Sequence, residues 1–375
     1  MIIDYRNPDT YSEYKVSNYP IKHKRKVPFN PQIKLGAEYR KAFANILEMD
    51  RKLNEVILSA GDYLDLINDA YSSNIHWSVS TEGNPLTLNE VRRISTSFFK
   101  DGKWEEKRDG PTQEILNHLY SYLRGDPYRI PWDKDTMIRI HKAITENTGI
   151  PGTPGEFRKT ESELVDEKDG FVYMIPCPWK FVEEEVDSLL DWLRTSPYDA
   201  VATAAIFFHE FESIHPFKDG NGRTGRTAFH ILIQEFGLKN AKLCRFEEEI
   251  LRPRNTYYDL LGYTDATSDY GPLLNYFIGA LEKAYESASR VFDAKNVLKD
   301  LDEASKTIAV RSKKEEWFTI SDAVRWVPSL GGQRIRQKLN GLVEMDVIEK
   351  EGNTRSTRFR FKDPLHFLKE KGGDR

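Results

Sequence analysis

A chain of 375 residues with 39% hydrophobic residues and twenty Phe carries enough apolar material for a sizeable core, and its length suggests two or three domains. The net charge of −4 is nearly balanced, so charge alone forces neither a basic nucleic-acid binder nor an acidic tail. Two cysteines, Cys177 and Cys244, cannot build a disulfide framework and form no CxxC pair for zinc, which favours a reducing compartment. The opening MIIDYRNPDT lacks the apolar segment of a signal peptide, and the longest apolar run, VATAAIFF, is too short to span a bilayer. The expectation is a cytoplasmic protein with no membrane partner.

Residues 1–34, with Pro20, Pro28, Pro31 and many charges, are expected as an irregular N-terminal arm. Helical spacing begins at Leu35 and runs through Ala42, Ile46, Leu47, Leu53, Ile57 and Leu58. It breaks at Glu82–Pro85, after which Thr87 and Glu90 form a capping box for a new helix. Further helices are expected over Pro111–Arg124 and Lys134–Glu146. TGIPGTPGEFRK reads as a loop, and ELVDEKDGFVYMIPCP as a hairpin around an Asp-Gly turn, ended by Pro176 and Pro178. Helical periodicity resumes through Val182, Val186, Leu189, Leu190 and Leu193, continues in YDAVATAAIFFHEFESI, and returns in RTGRTAFHILIQEFG, which Gly237 closes. The tally is mostly helix, with a core assigned to 126–295 behind an N-terminal helical region at 35–125, and a charged linker at 296–316.

The tail, 317–375, differs in kind. WFTISDAVRWV and GGQRIRQKLNGLVEM read as helices, and DVIEKEGNTRSTRFRF as two strands around Gly352-Asn353, an order that suits a winged helix-turn-helix domain. From Arg311 to Arg375 there are 15 Lys and Arg against 10 Asp and Glu, so this part is basic on a chain that is acidic overall. Arg334, Arg336 and Lys338 fall on the expected recognition helix, and Arg355, Arg358 and Arg360 on the expected wing. DNA contact and protein docking both fit such a face.

The chemistry concentrates in ESIHPFKDGNGRTGRT, Glu212 to Thr227. Gly220, four residues, then Gly225, Arg226 and Thr227 nearly match a phosphate loop. A Walker loop needs a buried strand before it and a Lys at its end; here the preceding segment is helical and the Lys is absent. A helix–loop–helix anion site accounts for the residues better. Gly220, Asn221 and Gly222 can turn successive N–H groups to one side, and the positive end of the following helix faces the same spot. Arg223 and Arg226, three apart, share a helix face suited to consecutive phosphates. Asp219 is a hard oxygen ligand suited to Mg²⁺, and His215 can take a proton near neutral pH. His209 and His230 lack the spacing of a helical zinc pair and read as packed histidines, while Glu183–Glu185 and Glu247–Glu249 read as solvated faces.

HPFKDGNGRTGR resembles the signature of the Fic family, HPFx(D/E)GNGRxxR, at every fixed position, and the resemblance extends over roughly Tyr71 to Ala284. It implies a mostly α Fic core with a β-hairpin flap at Val172, Tyr173, Met174 and Ile175, and a protein adenylyltransferase that moves AMP from ATP to a Ser, Thr or Tyr hydroxyl of a target protein or of the chain itself. In that family His215 would be the general base and Asp219 would hold Mg²⁺. Gly220, Asn221 and Gly222 would line the anion hole, with Arg223, Thr224, Gly225 and Arg226 around the phosphates and Tyr257 and Tyr258 bordering adenine. SVSTEGN is similar to the family's inhibitory pattern (S/T)xxxE(G/N), through Ser78, Glu82 and Gly83, which implies a carboxylate placed on Arg226. Two other readings of the same sequence are AMP removal, with Glu82 positioning a water, and a nucleotide-sensing transcription regulator that binds DNA through its tail. A second copy of the chain is a partner each reading allows.

Overall fold

The computed structural model describes residues 8–16, 18–101, 109–123, 128–165, 170–352, 357–363 and 365. The chain divides into two units: residues 1–50 with 69–286, and residues 51–68 with 287–375. No helix among the described residues is long and apolar enough to cross a membrane.

In the first unit helix dominates because apolar residues recur at helical spacing in nearly every segment between Gly and Pro breaks. Helices α1 (Ala37–Glu55) and α2 (Ala60–Ser80) open the series and extend into both units. They are followed by α3 (Leu88–Asp101), α4 (Gly110–Leu123), α5 (Lys134–Thr145), α6 (Val182–Thr195), α7 (Ala200–Ile214), α8 (Asn221–Glu235), α9 (Phe246–Leu251), α10 (Arg254–Thr267) and α11 (Gly271–Ala294). Arg124, expected to end a helix, lies outside the described residues, as does the Asp-Gly turn's Asp169.

The centre is the α7–α8 pair. Four alanines, Ala200, Ala202, Ala204 and Ala205, let α7 be approached from every side, and all but one of its residues are buried. Asp199 caps it by accepting bonds from the N–H groups of Val201 and Ala202, both at 3.0 Å, and is itself held by the Tyr39 hydroxyl at 2.9 Å. Helices α4 and α5 pack on α8, and α6 packs on α7. The connection between α7 and α8 therefore emerges from a closely packed pair of buried helices.

The hairpin consists of β2 (Leu164–Val165) and β3 (Val172–Ile175), paired antiparallel. The segment expected as an irregular arm supplies a third strand, β1 (Ile21–Lys22), which runs parallel to β3 with Ile21 opposite Met174. Polar bonds hold the arm down beyond β1. Lys26 Nζ reaches Glu210 at 2.7 Å, and the Phe29 N–H donates to Ser188 Oγ at 2.6 Å. Alternation is too short here to signal a strand: two residues give no period.

The second unit has its own core of Ile57, Ile308, Phe318, Ile335, Leu339, Leu342, Ile348 and Phe359. Its elements are α12 (Glu303–Ser312), β4 (Phe318–Thr319), α13 (Ile320–Trp326), α14 (Gly332–Glu344), β5 (Ile348–Glu351) and β6 (Arg358–Phe361). The strands form one antiparallel sheet in the order β4-β6-β5. Helix α12 falls within the stretch expected as a linker, yet its Ile308 and Ala309 are fully buried in this core. The segment WFTISD, expected as helix, opens as β4 instead. A capping box between Thr319 and Asp322 delays the helix to Ile320, freeing Phe318 to pair with Phe359. Of the expected wing, Asn353 and Arg355 lie outside the described residues.

Candidate active site

Helix α7 ends because His215 adopts a left-handed conformation, φ 52°, with its N–H still bonded to Phe211 O at 2.9 Å. The imidazole Nδ1 lies 3.3 Å from Glu212 O. A carbonyl only accepts, so Nδ1 carries the proton and Nε2 is left as a bare lone pair. Burial lowers the His215 pKa to about 4, so the ring is neutral at physiological pH and Nε2 can accept a proton. Arg158, buried, pins the loop from behind: its N–H bonds Pro216 O at 2.9 Å, and its guanidinium donates to His215 O at 2.7 Å and Thr160 O at 2.9 Å, and also to Cys177 O.

The loop returns into α8 through Gly220, whose φ of 78° suits glycine. A Cβ there would sit 2.9 Å from Thr145 Cγ2, so the position also demands the smallest side chain. Asn221 spends its amide on the loop itself, accepting from Phe217 N at 2.9 Å and donating to Phe217 O at 3.0 Å. By helix geometry the N–H groups of the first turn of α8 have no intrahelical acceptor, which leaves a donor cluster at the loop. Phe217 is anchored by stacking on His141, centroids 3.7 Å apart and rings 6° from parallel. Because Gly155 N–H donates to His141 Nδ1 at 2.9 Å, Nε2 holds the proton and donates to Asp219 O, also at 2.9 Å.

Both arginines of α8 are buried against carboxylates. Arg226 Nε donates to Ser78 Oγ at 2.9 Å, and Nη2 to Ser78 O at 2.9 Å and to Glu82 Oε1 at 2.6 Å. Arg223 donates to Glu114 and, at 2.6 Å, to Asp219 Oδ1. Glu114 in turn accepts from Asn84 Nδ2 at 2.6 Å, so the turn that carries Glu82 and Gly83 is tied to both arginine pairs. Burial opposes the charge of Glu82, but Arg226 and Arg223 outweigh it and hold the carboxyl below its ordinary value. Gly222 fits this arrangement for want of a side chain: a Cβ would collide with the Glu82 carboxylate.

Glu212, on the last turn of α7, completes the group. Burial first, then the charges of Glu82 and Asp265, raise its pKa to about 8 against the pull of Arg226. Its Oε1 is buried with no hydrogen-bond partner among the described residues. Asp219 keeps about a third of its side chain exposed, 33%, beside Arg223.

Tyr257 is buried and Tyr258 half-exposed, their rings 5.1 Å apart and edge to face. The phenol of Tyr173 in β3 is pushed up to about 12, by burial first and then by Tyr258 and Glu82. Met174 points inward and is buried; Val172 and Ile175 are partly buried. Thr224 and Gly225 do not join the donor cluster. The Thr224 hydroxyl donates to Gly220 O at 2.7 Å, and Gly225 lies against Phe208, where a Cβ would stand 3.0 Å from the ring. His209 and His230 are buried, the first beside Glu210 and Asp265 and the second beside Glu247. Glu185 and Glu247, expected on solvated faces, are buried as well: each meets a charged or polar neighbour inside the fold.

Glu114, His141, Arg158 and Glu212 carry no signal of this role in the sequence. The first three act across separations of 109, 78 and 57 residues, where local spacing is uninformative. Glu212 sits inside the loop stretch itself, and only the crowding of three carboxylates and an arginine distinguishes it.

Comparison with known proteins agrees with this geometry. Residues 131–233 match the Fic/DOC family, so the chain carries a Fic domain. Among curated relatives, the protein adenylyltransferase Fic of Nematostella vectensis is 26% identical over 227 residues, covering 59% of this chain and 49% of that protein. The protein of the same name from Drosophila yakuba is 26% identical over 222 residues, covering 58% and 42%. The chain thus spans about half or less of these relatives' length. In fold it is similar to a Fic family protein from Desulfovibrio desulfuricans G20, TM-score 0.57 at 22% identity, covering 89% of this chain and 98% of that one. It is also similar to a fragment of C. elegans Fic-1, TM-score 0.50 at 20% identity, covering 70% and 74%.

Proposed function

We propose that the chain is an autoinhibited protein adenylyltransferase, moving AMP from ATP to a hydroxyl side chain of a target protein with release of pyrophosphate. The observation that carries this reading is the Arg226 pairing: a cation with phosphate-binding geometry, 3% exposed, is held by Ser78 and Glu82 at the mouth of a helix N-terminus, next to a neutral histidine with a bare Nε2.

In this mechanism the first-turn N–H groups of α8 take the α-phosphate oxygens, and Arg223 and Arg226 take the β and γ phosphates once their carboxylates let go. His215 Nε2 accepts the proton of the attacking hydroxyl as its oxygen bonds the α-phosphorus and the bond to the pyrophosphate oxygen breaks. Charge moves onto pyrophosphate, so fixed donors contribute most of the rate. The Asp219 carboxylate, partly exposed beside Arg223, suits one Mg²⁺ shared with phosphate oxygens, and the ion would neutralise the developing charge. Tyr258 and the backbone of Val172–Ile175 border the nucleotide and the target segment. The second unit serves as a winged-helix module, with α14 and the β5–β6 pair as its basic face.

Incubation of the chain with ATP and Mg²⁺, followed by intact mass of the chain and candidate targets, tests the reading. His215→Ala should lower AMP incorporation roughly 10²–10⁴-fold and leave ATP binding largely intact, since the base acts on the hydroxyl. Near wild-type incorporation by that variant would sink the assignment. Loss of AMP from a pre-modified target, with no forward transfer even after Glu82→Gly, would favour the AMP-removing reading.

A further inference from the structure

Behind the site, three side chains from distant parts of the first unit converge. His23 follows β1, Cys177 follows β3, and Glu185 lies in the first turn of α6; a ring nitrogen, the sulfur and a carboxylate oxygen all lie within 4.8 Å of one another. The His23 side chain is 1% exposed, Glu185 3% and Cys177 0%.

The hydrogen-bond pattern around His23 is informative. Its Nδ1 lies 2.8 Å from Ser213 Oγ, and Ser213 Oγ donates its single proton to Asp265 Oδ1 at 2.6 Å. Ser213 can therefore only accept from His23, so Nδ1 bears a proton. Nε2 then faces Glu185 Oε2 at 3.7 Å and has no hydrogen-bond partner among the described residues. The Cys177 thiol reaches Pro178 O at 3.5 Å and would turn from it to face the other two groups, and two arrangements then give Nε2 a charged neighbour. Either Nε2 is protonated and pairs with Glu185, or a cation sits among the three. The second matches the usual support of a metal-bound histidine, whose other nitrogen is tied to a hydroxyl–carboxylate pair.

We propose that His23 Nε2, Cys177 Sγ and Glu185 Oε2 hold a zinc ion that fastens the N-terminal arm to the end of β3 and the start of α6. A thiolate, an imidazole and a carboxylate form a borderline-soft set that suits Zn²⁺ over Mg²⁺ or Ca²⁺. Charge balances: Cys177 loses its thiol proton to solvent on binding, and the thiolate and carboxylate neutralise the dication beside a neutral imidazole. Arg25 Nε occupies Glu185 Oε1 at 3.1 Å and the Lys26 N–H lies 3.4 Å from Oε2, orienting the carboxylate while leaving a lone pair inward.

The test is Co²⁺ titration of the chelator-treated full chain. One equivalent should produce a thiolate-to-cobalt charge-transfer band in the near ultraviolet, displaced by Zn²⁺, and Zn²⁺ should raise the unfolding midpoint. The band should persist in Cys244→Ser and vanish in Cys177→Ser; binding at Asp219 would give no such band. Ser213→Ala should weaken binding roughly 10–100-fold. Should Cys177→Ser fail to fold, His23→Gln serves as the second variant, with the wild-type band as the primary reading. No band in the wild type, a band that survives in Cys177→Ser, or a nitrogen NMR spectrum of the zinc-treated chain showing His23 Nε2 protonated at neutral pH would each overturn the proposal.

Discussion

Two sets of arginines make opposite use of the same charge. Arg223 and Arg226 of α8 are buried, and each is bonded to a carboxylate brought from another helix or turn. Arg334 and Arg336 of α14 are exposed on the second unit, on a helix whose apolar positions Ile335, Leu339 and Leu342 face that unit's core. A buried arginine cannot stay unpaired, so a ligand reaches it only by replacing the carboxylate it already has; an exposed one is available at once, but salt screens it. Under the proposed function the first arrangement is a switch. The second offers only attraction. The arginines of β6 fall between: Arg358 is bonded to Glu351 and lies over the Trp317 ring at 4.2 Å, and Arg360 is bonded to Glu349 over the same ring at 4.7 Å.

The largest effect should come from deleting a buried cation. Arg226→Ala leaves Glu82 and Glu212 facing each other without their guanidinium, and breaking a buried pair this way costs roughly 3–5 kcal/mol. Denaturant unfolding of the full chain should show that loss, whereas Arg334→Ala should stay within about 0.5 kcal/mol. Equal losses at the two positions would erase the contrast.

Removing the carboxylate should act in the other direction on function. A charge-assisted pair is worth roughly 1.5–3 kcal/mol, so Glu82→Gly should raise AMP transfer, self-modification included, about ten- to a hundred-fold. The gain should disappear in the Glu82→Gly, Arg226→Ala double variant, because the freed partner is gone. If Glu82→Gly leaves transfer unchanged or lowers it, Glu82 is structural or serves AMP removal. Ser78 sharpens the point: it would still hold Nε, so Arg226 should remain in place after Glu82 is removed.

The legible part of this molecule is the part contiguous in sequence. His215 through Arg226 lie within one turn and two helix ends, and backbone preference plus spacing suffices to put them on a common loop. Ser78 and Glu82 meet Arg226 from 148 and 144 residues away, a contact that only a family resemblance could suggest. Glu114, Arg158 and His141 hold the site just as closely and are invisible in the sequence, since a lone charged residue on a helix or in a loop announces no partner. The arm's strand is equally silent because its two residues owe their conformation to β3. The buried Glu185 and Glu247 mislead because a run of three glutamates looks solvated whichever of them turns inward.

Titration separates the buried cluster further. Burial holds His118 at about 3 and His141 and His215 at about 4, so below about pH 6.5 the unfolded chain takes up protons that the native state refuses, and stability should fall as pH drops toward 4. Glu212 works at the other end. Raised to about 8 from an ordinary 4.5, its native carboxyl keeps a proton that the unfolded chain sheds, so its contribution is full below about pH 4.5 and is lost progressively as pH rises to about 8. Glu212→Gln, neutral at every pH and close in shape, should flatten this alkaline limb by on the order of 1 kcal/mol per pH unit between pH 5 and 8, read as unfolding midpoints from pH 5 to 9. An unchanged alkaline limb would mean that Glu212 is ionised in the native state.

The smallest change in stability should accompany the clearest test of the second unit. If α14 binds DNA phosphates, Arg334 and Arg336 each release counterions on binding, and affinity should fall linearly on a double-logarithmic plot against salt. Replacing both by Ala should lower that slope by about two, close to 0.9 for each phosphate no longer neutralised, with little dependence on sequence. Arg358 and Arg360 should matter less, because Glu351 and Glu349 already meet part of their charge and would stand beside any phosphate they approached. Lys338 is similarly tied to Asp302 at 2.6 Å. The slope thus distinguishes a free basic face from a paired one on the same small domain. Retention of DNA with no salt dependence, or no retention by the full chain, would turn this surface into a protein-docking face and leave phosphate binding to the buried arginines of α8.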